Sequence, residues 1–307
     1  PVAYLLLRAS IEYPAKYGRQ LLQLALEEAK KLLDYANREL SRYYPSDAKA
    51  VIYVKGATHT CGGVIPIVKT TVLSKEKGLY YGFEFREGKV RAKIRDKPYA
   101  TPAVCPHCGK PLSVKELQRR WAEEHKKLIG DLLAGKTEGV EERIRQLYIP
   151  VAVVKIKGGY REPAEEDLKL LVEAARELAQ LKDAVSVLPT AQMDRDNEVF
   201  RPVVEAGLTH WHHLFNPRQL LVLYKLIKYV RERAKLLKDK HGELGAAVAL
   251  YLAMGIDKAI TYNNILTLWH SGTEVISYTI TQYALSRKVE VGYDFVDANL
   301  APITLPW

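Results

Sequence analysis

Val104–Leu112, VCPHCGKPL, places two cysteines around Pro106 and His107 and closes with a glycine, the spacing of one half of a tetrahedral metal site. The chain has three cysteines, so a four-thiolate site is excluded and any such site recruits another ligand type. The third cysteine lies in ATHTCGGVIP, where His59 and Cys61 flank Thr60 and the Gly62-Gly63 pair permits a tight turn. His59, Cys61, Cys105 and Cys108 therefore form a candidate Cys3His zinc set. His107, inside the knuckle, is an alternative fourth ligand. The competing readings are three thiols without a metal, or a redox pair at Cys105 and Cys108, for which no surrounding βαβ pattern is found.

Around this motif the hydrophobic period is that of strands. AVIYVKG, IPIVKTTVLS, YYGFEF and KVRAKIR alternate between Gly and charged turns, with a hairpin signal at Arg86-Glu87-Gly88. This β-rich stretch sits between helical ones. Residues 17–44 repeat Leu22, Ala25, Leu26, Ala29, Leu32, Leu33 and Ala36 at helical spacing. Residues 113–147 are helical and charged, with Ser113 and Glu116 as a capping box. VAVVKIK reads as a buried strand stopped by Gly158-Gly159, and PAEEDLKLLVEAARELAQL as a helix with Pro163 in its first turn. FNPRQLLVLYKLIKYVRERAKLLKDKHG starts a helix at Asn216 that stops near Gly242. Two further helices are expected, LGAAVALYLAMGIDKAITYNNILTLWH and TEVISYTITQYAL. The fold class is α+β or α/β, mostly helical with a small β-rich insertion.

Of 307 residues, 48% are hydrophobic, which excludes wholesale disorder. No apolar run is expected to reach membrane-spanning length and no signal peptide opens the chain, which predicts a cytoplasmic protein with no membrane partner. The net charge of +10, from 46 basic and 36 acidic side chains, favours a polyanion such as DNA. Many Lys and Glu with few Cys and Met fit a thermophilic source. The absence of an initiator Met before PVAYLLL suggests a piece of something longer.

Two other groups bear on function. In GLTHWHHLFNPRQLL three histidines surround Trp211; Trp211 and Phe215 read as a staple onto the following helix, with metal binding or base stacking as the alternatives. Arg218, in the first helical turn, opposes the helix dipole, so a phosphate or a carboxylate should hold it there. With Lys225, Lys228, Arg231 and Lys235 it forms the candidate nucleic-acid face of a basic helix 216–241, against the alternative of a merely solvated face. Asn263, Asn264, Trp269 and His270 in TYNNILTLWH read as buried hydrogen-bonding groups at least as well as catalytic ones. Neither a nucleophile with its base nor a Gly-rich phosphate loop is present in the sequence.

PVAYLLLRASIEYPAKYG, IPIVKTTVLSKEKG with CPHCG behind it, GLTHWHHLFNPRQLLVLYKLIKYVRE, and YLAMGIDKAITYNNILTLWH followed by GYDFVDANL together resemble the middle of the prokaryotic adenine-specific DNA methylases that contain a zinc ribbon, often found in anti-phage defence loci. The resemblance implies an S-adenosylmethionine-dependent α/β methyltransferase acting on adenine N6. Its Asp-Pro-Phe-x-Gly-x-Gly cofactor loop and Asp-Pro-Pro-Tyr catalytic motif do not occur here, so the catalytic and cofactor residues are unknown and the chain alone is expected to be inactive. Thr58 also stands where a cysteine would complete the first knuckle. The implied division is 1–47 as the helical start of a methyltransferase-like core, 48–112 as the zinc-ribbon-like insertion, 113–182 as a charged helical segment with one strand, and 183–307 as a helical region. The remainder of the methylase or a complementary subunit would be the partner. The rival reading is a free-standing zinc-ribbon nucleic-acid-binding protein or a subunit of a split methylase.

Overall fold

The computed structural model describes residues 2–86, 89–277 and 294–300. Its helices are α1 (Val2–Leu7), α2 (Tyr13–Glu39), α3 (Val114–Leu133), α4 (Val140–Leu147), α5 (Glu165–Gln180), α6 (Ala184–Val187), α7 (Arg201–Glu205) and α8 (Pro217–Thr261). Its strands are β1 (Ala48–Thr58), β2 (Val64–Ile67), β3 (Val72–Ser74), β4 (Leu79–Arg86), β5 (Lys89–Arg95), β6 (Tyr148–Lys155), β7 (Tyr160–Arg161), β8 (Leu268–His270), β9 (Val275–Ser277) and β10 (Asp294–Ala298).

β1 is the centre. One edge pairs with β6; the other pairs first with β10 and then with β2, in the order β10-β1-β6-β7. Every pairing between described strands is antiparallel, so the described chain is α+β. Strand alternation sorts β1 onto two cores. Ala50, Ile52 and Val54 meet Leu73, Tyr81 and Phe83 of the sheet β3-β4-β5, whereas Val51, Tyr53 and Ala57 face the helices. Burial on both faces explains why β1 is almost continuously apolar. The expected insertion 48–112 is thus divided: β1 and β2 belong to the main sheet, and β3–β5 form the layer beside it. β6 and β10, the partners of β1, lie about one hundred and more residues away in sequence, beyond the reach of any local signal.

α2 and α8 each break at a glycine in the left-handed region, Gly18 (φ 48°, ψ −123°) and Gly242 (φ 57°, ψ −128°). In α8 the second arm folds back on the first. A Cβ on Gly245 would lie 1.9 Å from the Leu237 carbonyl oxygen, and Leu223, Ile227 and Val230 share a groove with Ala253, Ile256 and Ile260. Glu243, just past the break, accepts from Arg8, Lys16 and Tyr17 and ties the two broken helices together. Contrary to expectation, α8 does contain a window long and apolar enough for a membrane span, with mean hydropathy 1.4 and a third of it buried. The helix expected to run through His270 ends at Thr261, and Leu268–His270 pairs as a strand with Val275–Ser277. Of the last expected helix, Thr273 and Glu274 form a turn and Val275–Ser277 a strand, and residues 278–285 lie outside the described residues. Pro163 precedes α5 rather than opening it, and Asp167 caps the helix by accepting from the Ala164 amide at 2.7 Å.

Arg218 is fully buried, not nucleic-acid-facing. Its guanidinium meets Asp297 of β10 at 2.8 Å, donates to the Tyr43 carbonyl and the Tyr53 hydroxyl at 3.0 Å each, and lies 4.3 Å over the Tyr44 ring. The carboxylate anticipated as one of its two possible partners holds it. Tyr44 and Asn216 also donate to Asp297, while Asn263 accepts from Gln219 and the Ala298 amide. Removing one member of a buried ion pair strands the other charge, so Asp297→Ala should cost about 3–5 kcal/mol in urea unfolding. Arg218→Met combined with Asp297→Leu should recover part of that loss; a double variant as unstable as the single one would contradict this account.

Candidate metal centre

Among the described residues one group of side chains brings metal-ligand atoms together: His59, Cys61, Cys105 and Cys108, all within 4.8 Å of one another. The turn after β1 shapes the first half. The His59 amide donates to the Gly63 carbonyl at 2.8 Å, and Gly62 turns at φ 86° and donates to the His59 carbonyl. The second half is closed by the Cys105 amide on the Lys110 carbonyl and the Gly109 amide on the Cys105 carbonyl, with Gly109 at φ 73°. Cys105 is buried in the helical core; Cys61 and Cys108 are exposed.

Zinc bonds of about 2.3 Å to sulfur and about 2.05 Å to nitrogen, at the tetrahedral angle, place two sulfurs about 3.8 Å apart and sulfur and nitrogen about 3.6 Å apart. Here Cys61 Sγ and Cys105 Sγ are 3.7 Å apart, and His59 Nδ1 is 3.5 Å from Cys108 Sγ and 3.2 Å from Cys61 Sγ. The donor set therefore fits a small tetrahedral cation. The hydrogen bond to His59 also brings the Cys61 thiol down to about 6, which favours the thiolate that a metal requires.

His107 is not part of this cluster. Its Nε2 donates to the Val64 carbonyl at 3.3 Å, its ring meets Phe85 edge-on, and a Cβ on Gly63 would collide with it at 2.2 Å. It straps the knuckle to β2 and β4, and Gly63 is required for that approach. The sequence marked this residue as a ligand alternative because spacing alone does not give side-chain direction.

The basic helix is less free than its sequence suggests. Lys225 pairs with Glu177 at 2.7 Å, and Lys228 with Asp183 at 3.1 Å. Arg233 is held by Glu28. Arg231 and Lys235 are exposed. The three histidines around Trp211 pack as rings, with centroids 4.4 to 5.5 Å apart, and do not converge their nitrogens. His213 Nδ1 accepts from the Thr209 and His210 amides, and Trp211 meets Phe200 edge-on. Asn264 is satisfied by the Ile260 carbonyl and the Leu266 amide, in keeping with its reading as a hydrogen-bonding group.

Sequence reasoning passed over two buried groups. Lys55 lies on the helix-facing side of β1, over the Trp121 ring at 4.8 Å, and donates to the Ile265 carbonyl; burial lowers it to about 7. His125 accepts from the Tyr148 hydroxyl and donates to the His213 carbonyl. Only the unexpected polarity of position 55 in an apolar strand could have flagged the first, and nothing local the second.

Comparison of the chain with protein-family models, with curated proteins and with solved structures gives no match.

Purified protein should carry about one zinc per chain with its three thiols protected. Cys105→Ser and His59→Ala should release the ion, whereas His107→Ala should keep it at lower thermal stability; metal content and thiol titration read both. A second expectation concerns acid. Burial holds His125 and His213 at about 3 and His212 at about 4, below the value near 6.5 of an unfolded histidine. Their contribution is full above about pH 6.5 and is lost as pH falls through 4 towards 3, because the unfolded chain binds the protons first. Urea midpoints should fall across that window, and His125→Gln should flatten the dependence.

Proposed function

We propose that this chain is the metal-braced, nucleic-acid-facing region of an S-adenosylmethionine-dependent DNA adenine methylase of the zinc-ribbon-containing type. The observation that carries the reading is the convergence of two separate turns, His59/Cys61 and Cys105/Cys108, on one tetrahedral donor set. Zinc there would lock the turn after β1 to the segment that leads into α3. The resemblance of four stretches of the sequence and the net charge of +10 point the same way.

Neither glycine pair among the described residues forms a loop that would hold S-adenosylmethionine. Gly62-Gly63 turns around the metal cluster, and Gly158-Gly159 closes the β6–β7 hairpin through the Lys155 amide on the Gly159 carbonyl. Neither pair opens a helix, as a phosphate- or dinucleotide-binding loop would. No step of methyl transfer is therefore assigned to these residues; the donor and the tetrapeptide that orients the flipped adenine belong elsewhere in the proposed enzyme. The rival, a zinc-ribbon nucleic-acid binder or a split-enzyme subunit, shares the same metal site and charge.

Purified chain incubated with labelled S-adenosylmethionine and adenine-containing duplex should bind the nucleic acid and transfer no label. Transfer of methyl groups by the chain alone would overturn the proposal. Restoration of activity by a second polypeptide carrying both missing motifs would favour the methylase over the free-standing binder.

A further inference from the structure

The basic surface with the most regular geometry is not on α8. It is the outer face of the β4–β5 hairpin. Tyr81 and Phe83 of β4 point into the core between the sheets, as do the partly buried Val90, Ala92 and Ile94 of β5. The alternate positions consequently point outwards. On β5 these are Lys89, Arg91, Lys93 and Arg95, a cation at every second residue and thus about 6.8 Å apart along the strand. Lys89, Arg91 and Arg95 are exposed, while Lys93 is engaged by Glu162 at 2.9 Å.

The register adds an aromatic end to this row. Tyr80 is directly opposite Arg95, and Arg86 is opposite Lys89. Arg95 lies 5.8 Å from the centroid of the Tyr99 ring, which leans on the backbone of Gly82. A Cβ at Gly82 would come within 2.6 Å of that ring, so the glycine keeps the aromatic close to the sheet. Glu84, opposite Arg91, is the acidic residue within the two outward rows. A row of cations ending in a tyrosine, Tyr80, has the two elements that hold a single strand: charge that tracks phosphates, and a ring on which a base stacks regardless of sequence.

The geometry points to the outer face of the β4–β5 hairpin as a binding surface for single-stranded nucleic acid, with Lys89, Arg91 and Arg95 on the phosphates and Tyr80 on the bases. The inference rests on the nucleic-acid reading given above and moves its contact surface from the basic helix to the sheet. His107 bears on Phe85 of β4, so the hairpin is held against the metal knuckle and its attitude depends on that strap.

The test is fluorescence anisotropy of the whole chain with a labelled oligothymidylate and with a labelled duplex of equal length, between about 50 mM and about 200 mM salt. Two charge-reversed variants are compared: Lys89→Glu/Arg91→Glu/Arg95→Glu on the hairpin and Arg231→Glu/Lys235→Glu on α8, each checked for wild-type metal content and melting temperature. If either charge-reversed variant lowers the melting temperature, the corresponding Gln variant takes its place. The hairpin variant should lose at least about tenfold in oligothymidylate affinity, and its salt slope should become shallower by about 2, for three phosphates at about 0.7 each. Tyr80→Ala should weaken the oligothymidylate more than the duplex. Loss in the helix variant with retention in the hairpin variant would overturn the inference and leave the nucleic-acid reading standing. Hairpin-dependent binding to duplex alone would overturn the single-strand assignment. Absence of binding by the unmodified chain to either probe would bring down both.

Discussion

The guanidinium of Arg218 and the carboxylate of Asp297 lie 2.8 Å apart with neither exposed to solvent, and the elements around them are placed so that no hydrogen-bonding group of either is stranded. Two charges withdrawn from water are tolerated only when geometry and further hydrogen bonds offset the lost hydration. Here the donors and acceptors come from the turn after α2 (Tyr43, Tyr44), the middle of β1 (Tyr53), the start of α8 (Asn216, Arg218) and β10 (Asp297). A slip of β10 along β1 by one residue would turn Asp297 to the opposite face and leave Arg218 buried without its partner. The pair therefore fixes register as well as proximity, and β1 can be the shared strand of two cores because its neighbours are pinned in this way.

The group of candidate metal ligands lies at the other end of the same strand. β1 runs out into His59 and Cys61, and the chain returns through β2, β3 and the β4–β5 hairpin before presenting Cys105 and Cys108. The four ligand atoms from these two turns lie within 4.8 Å of one another with the intervening sheet folded between them, which couples ligand geometry to β-layer packing. His107 is the mechanical link, bonded to the Val64 carbonyl on β2 and packed on Phe85 of β4.

Much of the candidate site was legible. Cysteine arithmetic leaves few ways to complete a tetrahedral set from three thiols, and His59 is the ligand type next to the unpaired one. The basic helix was harder to read, because sequence counts charges without showing their partners. Lys225, Lys228 and Arg233 turn towards Glu177, Asp183 and Glu28, which are 48, 45 and 205 residues away. By contrast, the cations of β5 were visible as KVRAKIR, yet their common face follows only once Val90, Ala92 and Ile94 are known to point inwards.

The sequence by itself determined the local elements and the donor set: helical periodicity in α2 and the first arm of α8, the cap at Asn216, the strands from Ala48 to Arg95, and the pairing of a Cys-x-x-Cys knuckle with His59 and Cys61. These follow from interactions spanning a few residues or from simple stoichiometry. Tertiary structure alone decided that β1 would be flanked by β6 and β10, that Arg218 would be answered by a carboxylate 79 residues away rather than by a phosphate, and that α8 would fold back at Gly242. Those outcomes depend on burial and on partners distant in the chain, and a buried charge is assigned its partner only when the fold has closed around it.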